Sequence, residues 1–220
     1  MSFSVVILSK NAANLEACVR AVWTHEPSNP QIIIIDDGLN PTPALLMESP
    51  CQFVSGEKPF IFARNANIGI RAAGDHDIIL LNDDALLESQ NGFSLLCAEA
   101  RAHPEIGIIG ATTDLTGQPL QHPMNQGLRI VPHIAFVCVL IPRRTINQIG
   151  LLDERYCLDY GVEDLDYCET CNLAGLKVAV HDGCFVNHSS LHSSFRGDPR
   201  MPGSFAKNYA LLEQKRAARG

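Results

Sequence analysis

No apolar run in this 220-residue sequence approaches the roughly 18–20 residues needed to cross a bilayer. The opening Met1-Ser2-Phe3-Ser4-Val5-Val6-Ile7-Leu8 lacks a basic residue and reaches polar Ser9-Lys10-Asn11 too early for a secretory leader. A cytoplasmic, reducing compartment is therefore expected. Excess positive charge is also missing. With a net charge of −7 and a pI near 5.6, no basic face for duplex nucleic acid is evident. The nearest basic cluster, Lys215-Arg216 with Arg219, is expected to be a solvated helix end. A Walker A loop, a GxGxxG after the first strand, a GxSxG and an HExxH are all absent. These absences count against P-loop NTPases, dinucleotide oxidoreductases and serine hydrolases. No fixed-period repeat, linker or low-complexity tract divides the chain, so one domain is expected.

What is present is a rhythm of short apolar runs that end in acid. Ser4–Ser9 reads as a strand, and Asn14–Trp23 carries Leu15, Cys18, Val19 and Val22 at helical spacing. Gln31-Ile32-Ile33-Ile34-Ile35 then runs into Asp36-Asp37-Gly38; four consecutive isoleucines suit a strand buried on both faces. Asn65–Gly74 is expected to be helical, and Asp77–Leu81 forms a second buried strand ending in Asn82-Asp83-Asp84. Strand alternating with helix argues for a parallel sheet with crossover helices. In such sheets ligands bind beyond the carboxyl ends of the strands. Both acidic clusters fall at that edge.

Downstream, a helix is expected over Ser89–His103, a strand over Ile106–Ala111 and a loop over Thr112–Gly127. His133–Ile141 reads as a buried strand and Arg143–Ile149 as a helix stopped by Gly150. A loop from Cys157 leads into a helix ending before Gly175. Leu176–His181 is a strand ahead of a turn at Asp182-Gly183, polar chain follows to Gly203, and Ser204–Arg219 is a final helix. The eight cysteines read as small buried apolar residues. Cys168 and Cys171 form a CxxC with no second pair, so they are expected to face the core rather than hold zinc with Cys184 and His188.

Asn82, Asp83 and Asp84 offer hard oxygen ligands for Mg²⁺ or Mn²⁺, although a turn and helix cap would select the same residues. Asp36 and Asp37 suit hydrogen bonds to a base or ribose, or an Asp-Gly turn. Glu163, Asp164 and Asp166 crowd a helix start, where the macrodipole favours acids and where a carboxylate facing a cleft could act as general base. His188 follows the last strand and His192 lies four residues on; either is a candidate imidazole ligand or an ordinary surface or core histidine.

Taken in order, these clusters resemble the inverting family 2 glycosyltransferases of the GT-A fold, in particular the rhamnosyltransferase-like branch. The likeness rests on Val5–Asn11, Ile35-Asp36-Asp37-Gly38, Arg64-Asn65-Ala66-Asn67-Ile68-Gly69 and Ile79–Asp84. It continues through Arg143–Glu154, Gly161–Cys168, Gly175–Val178 and Val186-Asn187-His188. The resemblance implies a single α/β domain with a mostly parallel nucleotide-binding sheet, flanking helices and a smaller antiparallel acceptor-side portion. The nucleotide-binding half would span about 1–110, the acceptor and base half about 111–203 and the C-terminal helix about 204–219. It implies a nucleoside-diphosphate sugar donor, with Asp36 and Asp37 at the nucleoside and Arg64 and Asn67 at the diphosphate. Asn82-Asp83-Asp84 stands as a DxD-like motif with Asn in its first position, Asp84 as metal ligand and Asn82 and Asp83 on the donor. Glu163-Asp164 stands as an acidic pair with Asp164 the base, and His188 joins Asp84 on a divalent Mn²⁺ or Mg²⁺. The acceptor is left open among a saccharide, a lipid-linked glycan, a protein, a small molecule and modified nucleic acid. The rivals are a degenerate sugar-nucleotide-binding or scaffold domain, and a nucleotidyltransferase, which normally needs a glycine-rich basic loop where this chain has only Lys10.

Overall fold

A computed structural model describes residues 2–156, 161–193 and 201–219. Three strands decide the architecture. β1 (Phe3–Ser9), β2 (Gln31–Asp36) and β4 (Asp77–Asn82) pair in parallel. Their central residues, Val5–Leu8, Ile32–Ile35 and Ile78–Leu81, are all buried. Because neighbouring side chains point to opposite faces, apolar residues at every position require cover on both sides. One face packs on α1 (Ala12–His25) and α4 (Gly92–Ala102) through Leu15, Cys18, Val22, Phe93 and Leu96. The other packs on α3 (Phe62–Ala72) and α6 (Glu163–Leu173) through Ala66, Ile70, Tyr167 and Cys168. The start of α1 is fixed by Asn11, whose side-chain oxygen accepts from the N–H groups of Ala13 and Asn14 at 3.0 and 3.2 Å.

The remaining elements are α2 (Ala44–Met47), β3 (Gln52–Ser55), β5 (Leu86–Leu87), β6 (Ile106–Thr113), β7 (Leu128–Val131), β8 (Cys138–Ile141), α5 (Arg143–Ile149), β9 (Lys177–Asn187) and α7 (Met201–Arg219). All nine described strands form one mixed sheet in the order β3-β2-β1-β4-β8-β6-β9-β5, with β7 attached to β9. The chain is therefore a single α/β domain. Its first half is parallel, and the antiparallel β8 then lies between β4 and β6. No described helix is long and apolar enough to cross a membrane.

The structure departs from the sequence expectations in four places. The strand expected over His133–Ile141 is confined to Cys138–Ile141. In the segment before it, the backbone of Ala135 bonds to the side chain of Gln121 in both directions, at 2.9 and 3.0 Å. A buried glutamine thus replaces a strand neighbour while Ile134 and Phe136 stay in the core. The turn expected at Asp182-Gly183 is instead a bulge inside β9, whose pairing with β6 steps from Ala111–His181 to Thr112–Phe185. Asp182 is held there by Arg129 at 3.0 Å and by the N–H groups of Met124 and Gln126. The short strands β3, β5 and β7 were not expected.

The fourth departure is the basic C-terminus, which is docked rather than solvated. Lys215 pairs with Asp153 at 2.6 Å and with Asp166, Arg216 pairs with Glu169, and Arg219 reaches Asp166 at 2.8 Å. All seven described cysteines are free, and Cys168 and Cys171 are buried against the sheet. Cys157 lies outside the described residues, as do parts of the loop expected around it and of the polar stretch before Gly203.

Helix α3 approaches the sheet most closely at Gly69, where an added Cβ would sit 2.3 Å from a methyl of Val6. Gly69→Ala should therefore lower stability by about 1–3 kcal/mol through overpacking, seen as a reduced urea midpoint with an unchanged slope.

Candidate active site

The carboxyl edge of β1, β2 and β4 gathers the acids. β4 ends at Asn82, and a tight turn closed by the Ala85 N–H on the Asn82 carbonyl at 3.1 Å carries Asp83 and Asp84. β5 follows at once and pairs Leu86 with Asn187 of β9. That register brings His188, the residue just after β9, beside the turn that carries Asp84. Nε2 of His188 lies 3.2 Å from Oδ1 of Asp84, and both residues are buried. The other ring nitrogen faces the carbonyl of Leu115 at 2.8 Å. A carbonyl can only accept, so Nδ1 carries the proton; Nε2 then donates to the Asp84 carboxylate when the ring is an imidazolium and presents a lone pair when the ring is neutral. Asp114 fixes the backbone beneath by accepting the His188 N–H at 2.8 Å. Oδ2 of Asp84 is buried with no hydrogen-bond partner among the described residues.

Across the cleft, α6 begins with Glu163 and Asp164. Gly161 and Val162 enter it with φ of +76° and +90°. For a β-branched residue the left-handed region is strongly disfavoured. This sharp turn directs both acids inward, and they line one cleft of about 240 Å³ together with Asn82, Asp83, Asp84 and His188. Burial holds the Asp164 carboxyl above its usual range, while main-chain N–H donors from Leu165, Phe136 and Val162 pull the other way. The donor from Phe136 explains the departure of that segment from a strand, because its N–H faces Asp164 rather than a neighbouring strand.

The chemistry of this donor set suits a divalent cation. A carboxylate and an imidazole nitrogen stand 3.2 Å apart, and the second oxygen of that buried carboxylate is unsatisfied among the described residues. Among the described residues no third His, Cys, Asp or Glu completes a group of three. The remaining ligands would be oxygens of phosphate or water, as small hard cations accept.

Residues 4–140 match the model of Glycosyl transferase family 2. The chain belongs to glycosyl transferase family 2. No curated protein sequence matches it. Among solved structures it is similar to GalNAc-T7 crystallised with UDP, GalNAc and Mn²⁺. The TM-score is 0.69 at 16% identity, over 86% of this chain and 44% of that one. At that identity the likeness concerns the fold, a GT-A glycosyltransferase architecture. The chain spans less than half of this neighbour's length.

Within this family 2 chain the other expected site residues stand apart from the cleft. Asp36 accepts the N–H groups of Gly38 and Leu39 at 2.8 and 2.7 Å, as a turn-forming aspartate does. Asp37 is buried and paired with Lys58 at 2.5 Å. Arg64 pairs with Glu57 at 3.2 Å and donates to the carbonyl of Pro59. Asn67 is buried in α3, where its amide holds the main chain of Leu152 at both ends and reaches Glu154 at 2.8 Å. His192 is exposed, and its carbonyl accepts from Asn14 at 2.9 Å.

Two residues of the edge were not singled out in the sequence. Ser9 links the acid clusters: its carbonyl accepts from Asp37 N–H at 2.9 Å and its hydroxyl donates to Asp83 at 2.6 Å. It ends β1 at the carboxyl edge, and that position was a legible signal. Asp114 sits in a loop with no such signal.

Asn67→Ala would leave the Leu152 main chain unpaired in a buried place. A loss of about 2–4 kcal/mol is expected on chemical denaturation.

Proposed function

We propose that the chain transfers a sugar from a nucleoside-diphosphate sugar to an acceptor hydroxyl with inversion, using Asp164 as base. The observation that carries this reading is the Asp84–His188 pair, with its unsatisfied carboxylate oxygen, in the same cleft as Glu163 and Asp164. Asp84 and His188 would hold Mn²⁺ or Mg²⁺, which supplies charge neutralisation for a departing diphosphate. The Mn²⁺ and UDP bound to GalNAc-T7 agree in kind. Asp36 and Asp37, two strands over on the same edge, would serve the nucleoside.

Asp164 takes the proton of the acceptor hydroxyl as its oxygen forms a bond to the anomeric carbon. The bond from that carbon to the diphosphate oxygen breaks, and the nucleoside diphosphate leaves with the electron pair. A single displacement inverts the anomeric centre. Glu163 lines the same side of the cleft, and Ser9 keeps Asp83 oriented at the foot of the donor site.

The test is a donor-hydrolysis panel of UDP-, GDP- and dTDP-sugars with Mn²⁺ and Mg²⁺. It includes dTDP-rhamnose because of the resemblance to the rhamnosyltransferase-like branch. Asp84→Ala should abolish the rise in melting temperature that about 1 mM UDP with Mn²⁺ produces in the parent. Asp164→Asn should keep that rise and lose about 10²–10⁴ in turnover. Full turnover in Asp164→Asn removes it as the base.

The pH dependence has a definite sign. A carboxyl raised by burial stays protonated to higher pH than a free aspartate, and a protonated base is inactive. Donor turnover should therefore fall on acidification through an apparent pKa above the ordinary value of about 3.9. An acid limb at or below that value would contradict this assignment.

A further inference from the structure

We infer that helix α7 is a brace for the turn that aims the base, with Lys215 and Asn208 as positioning residues. The inference rests on the glycosyl-transfer reading above. Gly161 and Val162 enter α6 in left-handed conformations, and no side chain caps that helix start. A non-glycine residue persists in such a region only where its surroundings over-determine it. Among the described residues, those surroundings include one stripe of α7.

Phe205, Asn208, Leu212, Lys215 and Arg219 recur at spacings of three and four, the period of one helix face. The Phe205 ring lies 3.3 Å from the point where a Cβ at Gly161 would stand. Asn208 is buried and donates to the Gly161 carbonyl at 3.4 Å. Leu212 is fully buried in a small apolar cluster with Tyr156 and Val162, separate from the two main cores. Lys215 then bridges Asp153, ahead of the turn, and Asp166, just after it, with its ammonium 5.4 Å from the Tyr156 ring centroid. Arg219 takes the other oxygen of Asp166 at 2.8 Å.

One helix face thus grips the chain on both sides of the catalytic turn and at its apex. Of the three acids in the first turn of α6, Asp166 is turned to α7 and neutralised, while Glu163 and Asp164 are presented to the cleft. Asp84, His188 and the end of β4 are held by β5, β9 and Leu115 instead.

The experiment compares the parent with Lys215→Met, Asn208→Ala and Lys215→Arg in three measurements. These are amide hydrogen exchange, UDP affinity with Mn²⁺, and donor hydrolysis. Lys215→Met and Asn208→Ala should exchange about tenfold or more faster over residues 161–166, with β4 unchanged. UDP affinity and the donor KM should hold, while kcat falls about 10- to 100-fold, as expected for a displaced catalytic group. Lys215→Arg, which keeps the cation, should recover most of both. Unchanged exchange over 161–166 in the two disruptive variants overturns the inference. So does a loss of UDP affinity in step with kcat, which would mark a general defect. A parent that neither binds UDP nor hydrolyses any donor overturns the glycosyl-transfer reading, while the exchange data still judge the brace.

Discussion

A parallel strand covered on both faces has no place for a charge along its length, so its polar residues collect at its ends. Val5–Leu8, Ile32–Ile35 and Ile78–Leu81 are buried throughout, and each run stops at a polar residue on the same edge: Ser9, Asp36 and Asn82. The site follows from that constraint. Main-chain groups at strand ends lack ladder partners and must find others. Here they do so through the acids themselves, with Asp36 accepting two N–H groups and Asp37 donating to Ser9. Ser9 carries the linkage sideways, since its hydroxyl reaches Asp83 two strands from Asp37.

The second half of the site depends on a different device. His188 lies 104 residues from Asp84 in sequence, and they meet because β9 continues past its bulge to pair with the two-residue strand β5. Had the chain turned at Asp182-Gly183, the imidazole would have no defined relation to the acid. The pair is held at a cost to the fold. A buried carboxylate oxygen without a donor is unfavourable, and such a group is tolerated where a ligand satisfies it. Asp114 and Leu115 restrict the imidazole to one orientation, which makes the site ready before anything binds.

The legible parts of the sequence were those governed by local pattern. Four consecutive isoleucines admit few arrangements other than a doubly covered strand, and an acid directly after such a run must lie at the sheet edge. Gly150 and Gly175 end α5 and α6 where expected, with positive φ at both. The illegible parts were those decided by distant residues. Asp182-Gly183 is a turn signal on local grounds, yet Arg129 and two main-chain donors stabilise it within a bulge. His133–Val137 is as apolar as a strand, but its hydrogen bonds come from Gln121, and composition does not reveal that. Asn67 also clamps α3 to the loop at Leu152, which no local motif reveals. The basic C-terminus looked solvated because its partners, Asp153, Asp166 and Glu169, lie about 50 residues or more away in sequence.

The start of α6 shows how one segment meets two opposed demands. A carboxylate proposed as a base must be ionised before it acts, yet burial in a cleft raises its pKa. Clustered acids make matters worse, because each negative charge disfavours the next. The helix N-terminus offsets part of this through its dipole, and main-chain donors from Leu165, Phe136 and Val162 offset more. Turning Asp166 away to meet Lys215 and Arg219 compensates one of the neighbouring charges. Burial still raises the Asp164 pKa, and local donors oppose it. The strained entry at Val162 and the cationic face of α7 serve the same end: a carboxylate that is desolvated and directed into the cleft.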